Sequence, residues 1–286
     1  MVRRSANFAS ITQLMENSPV GRVWLAAKIA FLGTLGGLGW VSGRALHAES
    51  ARWPDRVELT LLPPPVAGPK LRVVIDPGHG ARDNTGNRSS YCKDEQDFTL
   101  ELARDVRTAL EDTGRFEVRL TREAGSTVEY RARLSDAESW GARAFVSLHS
   151  DVRGHAESWK PTPVLECPRR RGGNGFAVLF SDESSADAEL TESLASCIAS
   201  EVTAAGFVPF GGIEYSADYQ ARRQAGVFAD RHAPGERIFV LRASSVPSVI
   251  VETHNALDDR EARAWEQPAT RRAFGRALAR ALASSL

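Results

Sequence analysis

Beyond residue 70 the chain alternates two kinds of apolar pattern. Short apolar runs occur at 71–75, 116–121, 144–148, 176–180, 238–241 and 249–251. Their length and their β-branched or aromatic content are those of buried strands. Longer stretches between them repeat apolar residues three and four positions apart, which lines one face of a helix. Over 98–113 this stripe is Phe98, Leu102, Val106, Ala109 and Leu110, and Gly114 supplies a stop. A second helix is predicted over 128–140, with Leu134 and Ala137 inward. A third spans 186–205, with Leu190, Leu194, Cys197, Ile198 and Val202 toward the core. The last runs from 268 to 286, with Pro268 in its first turn. Alternation of this kind predicts an α/β fold: a mostly parallel, twisted sheet of about six strands flanked by helices on both faces. Residues 152–175 and 207–236 carry little periodicity and are expected to be surface excursions flanking a cleft.

The first 48 residues follow another pattern. Arg3, Arg4, Arg22 and Lys28 precede an apolar stretch from Ile29 to Val41, and Ala45-Leu46-His47-Ala48 follows. A positive region, a short apolar core and small residues form the order of an export signal. The uninterrupted stretch is shorter than the ~20 residues that span a bilayer. Counted from Val23 it reaches the length of an anchor, so cleavage and retention at the membrane both stay open. The Arg3-Arg4 pair lies too far from the apolar core for a twin-arginine signal. Residues 49–70 read as a linker ending in Pro63-Pro64-Pro65, stiffened by proline, and a catalytic domain is expected over 71–286.

Composition adds limits. The 286 residues are 42% hydrophobic and 25% charged, an ordinary globular balance. Lys+Arg and Asp+Glu both total 36, so no net field favours nucleic acid as a partner. The three cysteines lack a metal-knuckle spacing. Cys197 falls on a helix stripe, whereas Cys92 and Cys167 fall in loops near the candidate site and can pair if the chain is exported.

Chemistry concentrates at the strand ends. Val73-Val74-Ile75 runs into Asp76-Pro77-Gly78-His79-Gly80, and Phe145-Val146-Ser147-Leu148 runs into His149-Ser150-Asp151. Val249-Ile250-Val251 delivers Glu252 in the same manner. Strand tips of an α/β sheet are where ligands bind. Two imidazoles and carboxylates converging there compose a catalytic zinc site. Taken singly, each has a plainer reading: a structural histidine after a strand, or an acidic cap for the Asp94/Glu95/Asp97 cluster. A zinc ion needs a third protein ligand, and the loop carrying Glu95 starts from the crevice edge of His79. A carboxylate buried at a strand tip, as expected of Glu252, is costly unless used, and a general base is the favoured use. Asp151 reads as a ligand, as a group supporting the ligands or as a loop cap, the last two being favoured. His254 is the rival metal residue, otherwise a substrate or proton-handling group.

In these motifs the sequence resembles the zinc-dependent N-acetylmuramoyl-L-alanine amidases, a family of cell-wall hydrolases. Val74–Gly80 is similar to the family's opening motif, Glu95–Leu100 to its glutamate segment, and Phe145–Asp151 to its second histidine motif. Thr121-Arg122, Val128, Tyr130 and Arg133 echo the stretch between. Val240-Leu241-Arg242 and Pro247–Thr253 match the last segment. The resemblance implies Zn²⁺ held by His79, Glu95 and His149, with Glu252 catalytic and Arg242 assisting the oxyanion. It implies peptidoglycan as substrate and a periplasmic or cell-envelope location. Membrane contact is expected from the N-terminal segment if it is retained, and a regulatory activator protein from the length and position of 152–175 and 207–236, which would cover the cleft until a partner moves them. Ser150-Asp151 stands where the family has Ala-Asn, and Thr253-His254-Asn255 where it has Gly-Phe-Leu. A peptidase or deacetylase on another wall bond, or a wall-binding module of the same fold, would share much of this pattern.

Overall fold

The computed structural model describes residues 68–183, 186–215 and 218–286. The expected export segment and nearly all of the linker lie outside the described residues. In chain order the elements are β1 (Leu71–Pro77), α1 (Glu95–Glu111), β2 (Phe116–Leu120), α2 (Tyr130–Trp140) and β3 (Ala144–Asp151). Then come β4 (Glu157–Thr162), β5 (Leu165–Arg169), β6 (Ala177–Phe180), α3 (Ala188–Ala204), β7 (Tyr219–Ala221) and β8 (Val227–Asp230). The chain closes with α4 (Phe239–Arg242), β9 (Ser248–Asn255), α5 (Asp259–Trp265) and α6 (Pro268–Ser285).

The main sheet has seven strands in the order β2-β1-β3-β9-β6-β8-β7. β2, β1, β3 and β9 run parallel; β6 reverses against β9, β8 runs parallel to β6, and β7 reverses again. The parallel half carries the long apolar runs because helices cover both of its faces. Alternation sorts them. Val73, Ile75, Val146, Leu148, Val249 and Val251 pack toward α1, α3 and α6. Val74, Phe145 and Ile250 pack toward α2 and α4. Each such buried side chain contributes roughly 1.5–3 kcal/mol. Gly141 ends α2 in the left-handed region (φ 71), donating its amide to the Glu138 carbonyl.

Two expectations are corrected, and a third gains detail. Residues 238–241 form no strand: Leu241 and Arg242 donate their amides to the Ile238 carbonyl and start the single turn α4. A four-residue apolar run has too few periods to separate strand from helix. The excursion 207–236 contributes β7 and β8, making seven strands rather than six. The excursion 152–175 folds as the β4–β5 hairpin, which the Cys92–Cys167 disulfide ties to the loop before α1.

Candidate metal centre

β1 ends in a turn that leaves His79 in the left-handed region (φ 61). A non-glycine residue there needs support from its surroundings. Buried arginines give it. Arg122 Nε and Nη2 donate to the carbonyls of Pro77 and Gly78, both at 2.9 Å, and Arg133 Nη2 donates to the His79 carbonyl at 2.6 Å. Arg133 Nη1 also meets Asp76 Oδ1 at 2.9 Å, where both side chains are almost fully buried. Asp76 further accepts from the Ser147 hydroxyl at 2.6 Å and from the Thr121 hydroxyl. A buried ion pair fixes geometry more surely than it adds stability. Asp76 therefore orients the turn.

His149 comes from β3, two strand positions short of its end, and the two imidazole rings lie edge to face with centroids 4.8 Å apart. Glu95, the first residue of α1, stands between them. Its Oε2 lies 2.9 Å from His79 Nε2 and its Oε1 lies 3.0 Å from His149 Nδ1. Oε2 also accepts from the Asn87 amide at 3.0 Å and its side-chain Nδ2 at 2.8 Å, while Oε1 accepts the Ser150 amide at 2.9 Å. Burial acts to raise the Glu95 pKa, but hydrogen bonds from His149 and His79 outweigh it and hold the carboxyl well below its usual range. Burial acts against protonation of His79, yet the Glu95 carboxylate raises its pKa.

The three ligand atoms lie within 4.8 Å of one another. Two nitrogens and a carboxylate oxygen suit a borderline-soft divalent cation. Local backbone space fits the same purpose. A Cβ on Gly78 would come within 2.4 Å of the His149 ring, and one on Gly86 within 2.6 Å of both Glu95 Oε2 and the His79 ring. Glycine at both positions lets the donors close around one point.

Glu252 faces His149 across the β3–β9 pairing. Its Oε2 is covered and makes no hydrogen bond among the described residues. Burial first, then the charges of Asp151 and Glu95, push its pKa well above the usual carboxylate value. Asp151 accepts from Arg153 Nε at 2.8 Å and from the Tyr215 hydroxyl at 2.9 Å, with the Val152 amide capping it at 2.8 Å. It supports the loop.

His254 goes elsewhere. β9 has one extra residue between the pairs His149–Glu252 and Asp151–Asn255, a bulge that turns His254 to the other face. There it stacks on Trp265 at 5.5 Å and meets Phe98 at 5.1 Å, and burial lowers its pKa to about 3. Neither a metal role nor proton handling in the cleft fits that position. Arg242 is exposed on α4, donating to the Arg237 carbonyl at 3.1 Å and lying over the Phe239 ring. Those contacts tie it to its own segment, not to the triad. Sequence reasoning missed Asn87, Arg153 and Tyr215, since ordinary loop residues show no signal before the loops are placed.

Residues 73–284 match the N-acetylmuramoyl-L-alanine amidase family, nearly the whole α/β domain. The chain belongs to that family. It is accordingly a peptidoglycan amide hydrolase. It is similar to the N-acetylmuramoyl-L-alanine amidase AmiA of Escherichia coli K12, at 25% identity over 76% of this chain and 77% of that protein. Similarity to AmiC of E. coli O6:H1 reaches 31%, but over 32% of this chain and only 24% of that protein. Among solved structures, the amidase AmiC2 of Nostoc punctiforme superposes with a TM-score of 0.52 at 26% identity, covering 76% of this chain and 97% of that one.

Proposed function

We propose that this amidase cuts the bond between the lactyl group of N-acetylmuramic acid and L-alanine, with His79, Glu95 and His149 holding Zn²⁺. The observation that carries this is the pairing of the three-donor cluster with Glu252 on the adjacent strand. Zinc in such a donor set supplies Lewis acidity, polarising the scissile carbonyl and bringing the pKa of water from 15.7 to about 7. The protein does the rest. Glu252 accepts a proton from the attacking water as the C–O bond forms, then returns one to the alanine nitrogen, which leaves as the amine when the C–N bond breaks. A raised carboxyl pKa suits a group that must both take and give a proton. Asn87 and the Ser150 amide keep Glu95 from rotating, and Arg122 with Arg133 keep the His79 turn closed.

The same reading takes residues 1–48 as an export signal or membrane anchor, 49–70 as the linker and 71–286 as the catalytic domain. The Cys92–Cys167 disulfide supports it, because such bonds persist in oxidising compartments such as the periplasm. A regulatory activator protein acting on the excursions 152–175 and 207–236 belongs to it too. Mass spectrometry of digested sacculi tests the bond cleaved. Intact stem peptides with a free N-terminal alanine are expected; shortened stems or deacetylated glycans alone would overturn the assignment.

A further inference from the structure

Asn84 lies five residues beyond His79, in the loop between β1 and α1. Its side-chain amide has three partners. Oδ1 is 2.7 Å from His79 Nδ1 and accepts the Gly86 amide at 3.1 Å, while Nδ2 donates to the Tyr130 hydroxyl at 2.7 Å. The two ends of an asparagine amide look alike, so its orientation must be decided from its partners. Here the Gly86 N–H decides. It can only donate, so the atom it meets is the oxygen. An acceptor at that point obliges His79 Nδ1 to carry the hydrogen. Nε2, 2.9 Å from Glu95, is then the nitrogen whose lone pair is offered to a metal.

The amide is anchored in turn. Tyr130 opens α2, and the Arg133 guanidinium lies 5.0 Å from its ring centre. The same Arg133 donates to the His79 carbonyl at 2.6 Å. One turn of α2 thus grips His79 twice, directly at its backbone and through Asn84 at its ring.

From this geometry we infer that Asn84 is a positioning residue for the metal: it fixes the tautomer and the angle of His79, and Tyr130 fixes Asn84. The inference rests on the metal site proposed above. Partners of this kind, hydrogen-bonded to the far nitrogen of a ligating histidine, are worth about 10–100-fold in metal affinity.

The test is zinc affinity of the full chain by competition with a chromophoric chelator, combined with long-range ¹H–¹⁵N spectra of the zinc-loaded wild type. Asn84→Leu removes the acceptor and is expected to weaken zinc binding by ~10–100-fold. Asn84→Asp keeps an acceptor and is expected to bind as tightly as wild type or tighter. Tyr130→Phe, which frees the Asn84 amide, should fall between wild type and Asn84→Leu. The spectra should show His79 protonated at Nδ1. Equal affinity of Asn84→Leu and wild type overturns the inference, as does an Asn84→Asp variant as weak as Asn84→Leu. Where Asn84→Leu does not fold, His79 protonated at Nε2 in the wild type, or undiminished affinity of Tyr130→Phe, overturns it. Wild type that binds no zinc overturns the metal site itself.

Discussion

His149 and Glu252 face each other as register partners on adjacent parallel strands, so a ring of the donor cluster stands beside a carboxylate whose Oε2 has no hydrogen-bond partner among the described residues. Separate roles for the two follow from this. Glu252→Gln keeps the shape and every donor of the cluster while removing the proton acceptor. Zinc content should stay at the wild-type level, and release of stem peptides should fall ~10²-fold or more. Metal analysis and a sacculus assay on one preparation decide it; undiminished release would falsify the assignment.

Gly78 tests the cluster from the opposite side. Its φ is not in the left-handed region, so alanine meets no backbone penalty, yet the added Cβ would press within 2.4 Å of the His149 ring. Gly78→Ala should therefore displace that ring. Expected is a loss of zinc binding by isothermal titration, with metal-free thermal unfolding changed far less than activity. Normal zinc affinity would mean that the ring moves without cost.

Removing the Cys92–Cys167 bond by a double serine substitution should cost stability. The bond closes a loop spanning 75 residues of sequence, for which unfolded-chain entropy gives about 4 kcal/mol. Urea denaturation under non-reducing conditions reads this directly. Dithiothreitol should weaken the wild type and leave the double variant unaffected.

His254 gives a pH signature of opposite origin to the cleft. Its pKa, lowered to about 3 by burial, lies below the 6.5 of the unfolded chain. The unfolded state thus binds the extra proton between those values. The contribution to stability is complete above pH 6.5 and declines as pH falls toward 3. Between pH 7 and pH 5 the wild type should lose about 2 kcal/mol more than His254→Phe, where that proton has no site. Comparing the two chains cancels the contribution of His79, whose raised pKa acts in the other direction. Parallel denaturation profiles would show that His254 is not the group responsible.

Strand–helix alternation, the candidate donors His79, Glu95 and His149, and the neighbouring Glu252 were readable in the sequence because each rides on a strongly patterned element or marks its boundary. The exposed hairpin escaped, since Glu157–Thr162 carries few apolar residues and buries no alternating face. β7 and β8 escaped because three- and four-residue strands hold barely two periods. Spacing set His254 beside Glu252, and spacing says nothing of an inserted residue in β9. Arg242 came from the resemblance, which says nothing of the helical turn at 239–242 that ties it to its own segment. Asn84 and Asn87 could not be read at all, because their partners come from elements or loop turns that only folding assembles.

The inserted residue of β9 has a wider consequence. Glu252 and His254, two positions apart, would on a regular strand point to one face of the sheet. The kink instead leaves Glu252 beside the donor cluster and sends His254 into the aromatic interior against Trp265 and Phe98. A deletion anywhere between Glu252 and Asn255 would undo that partition, so this stretch should tolerate changes of side chain far better than changes of length.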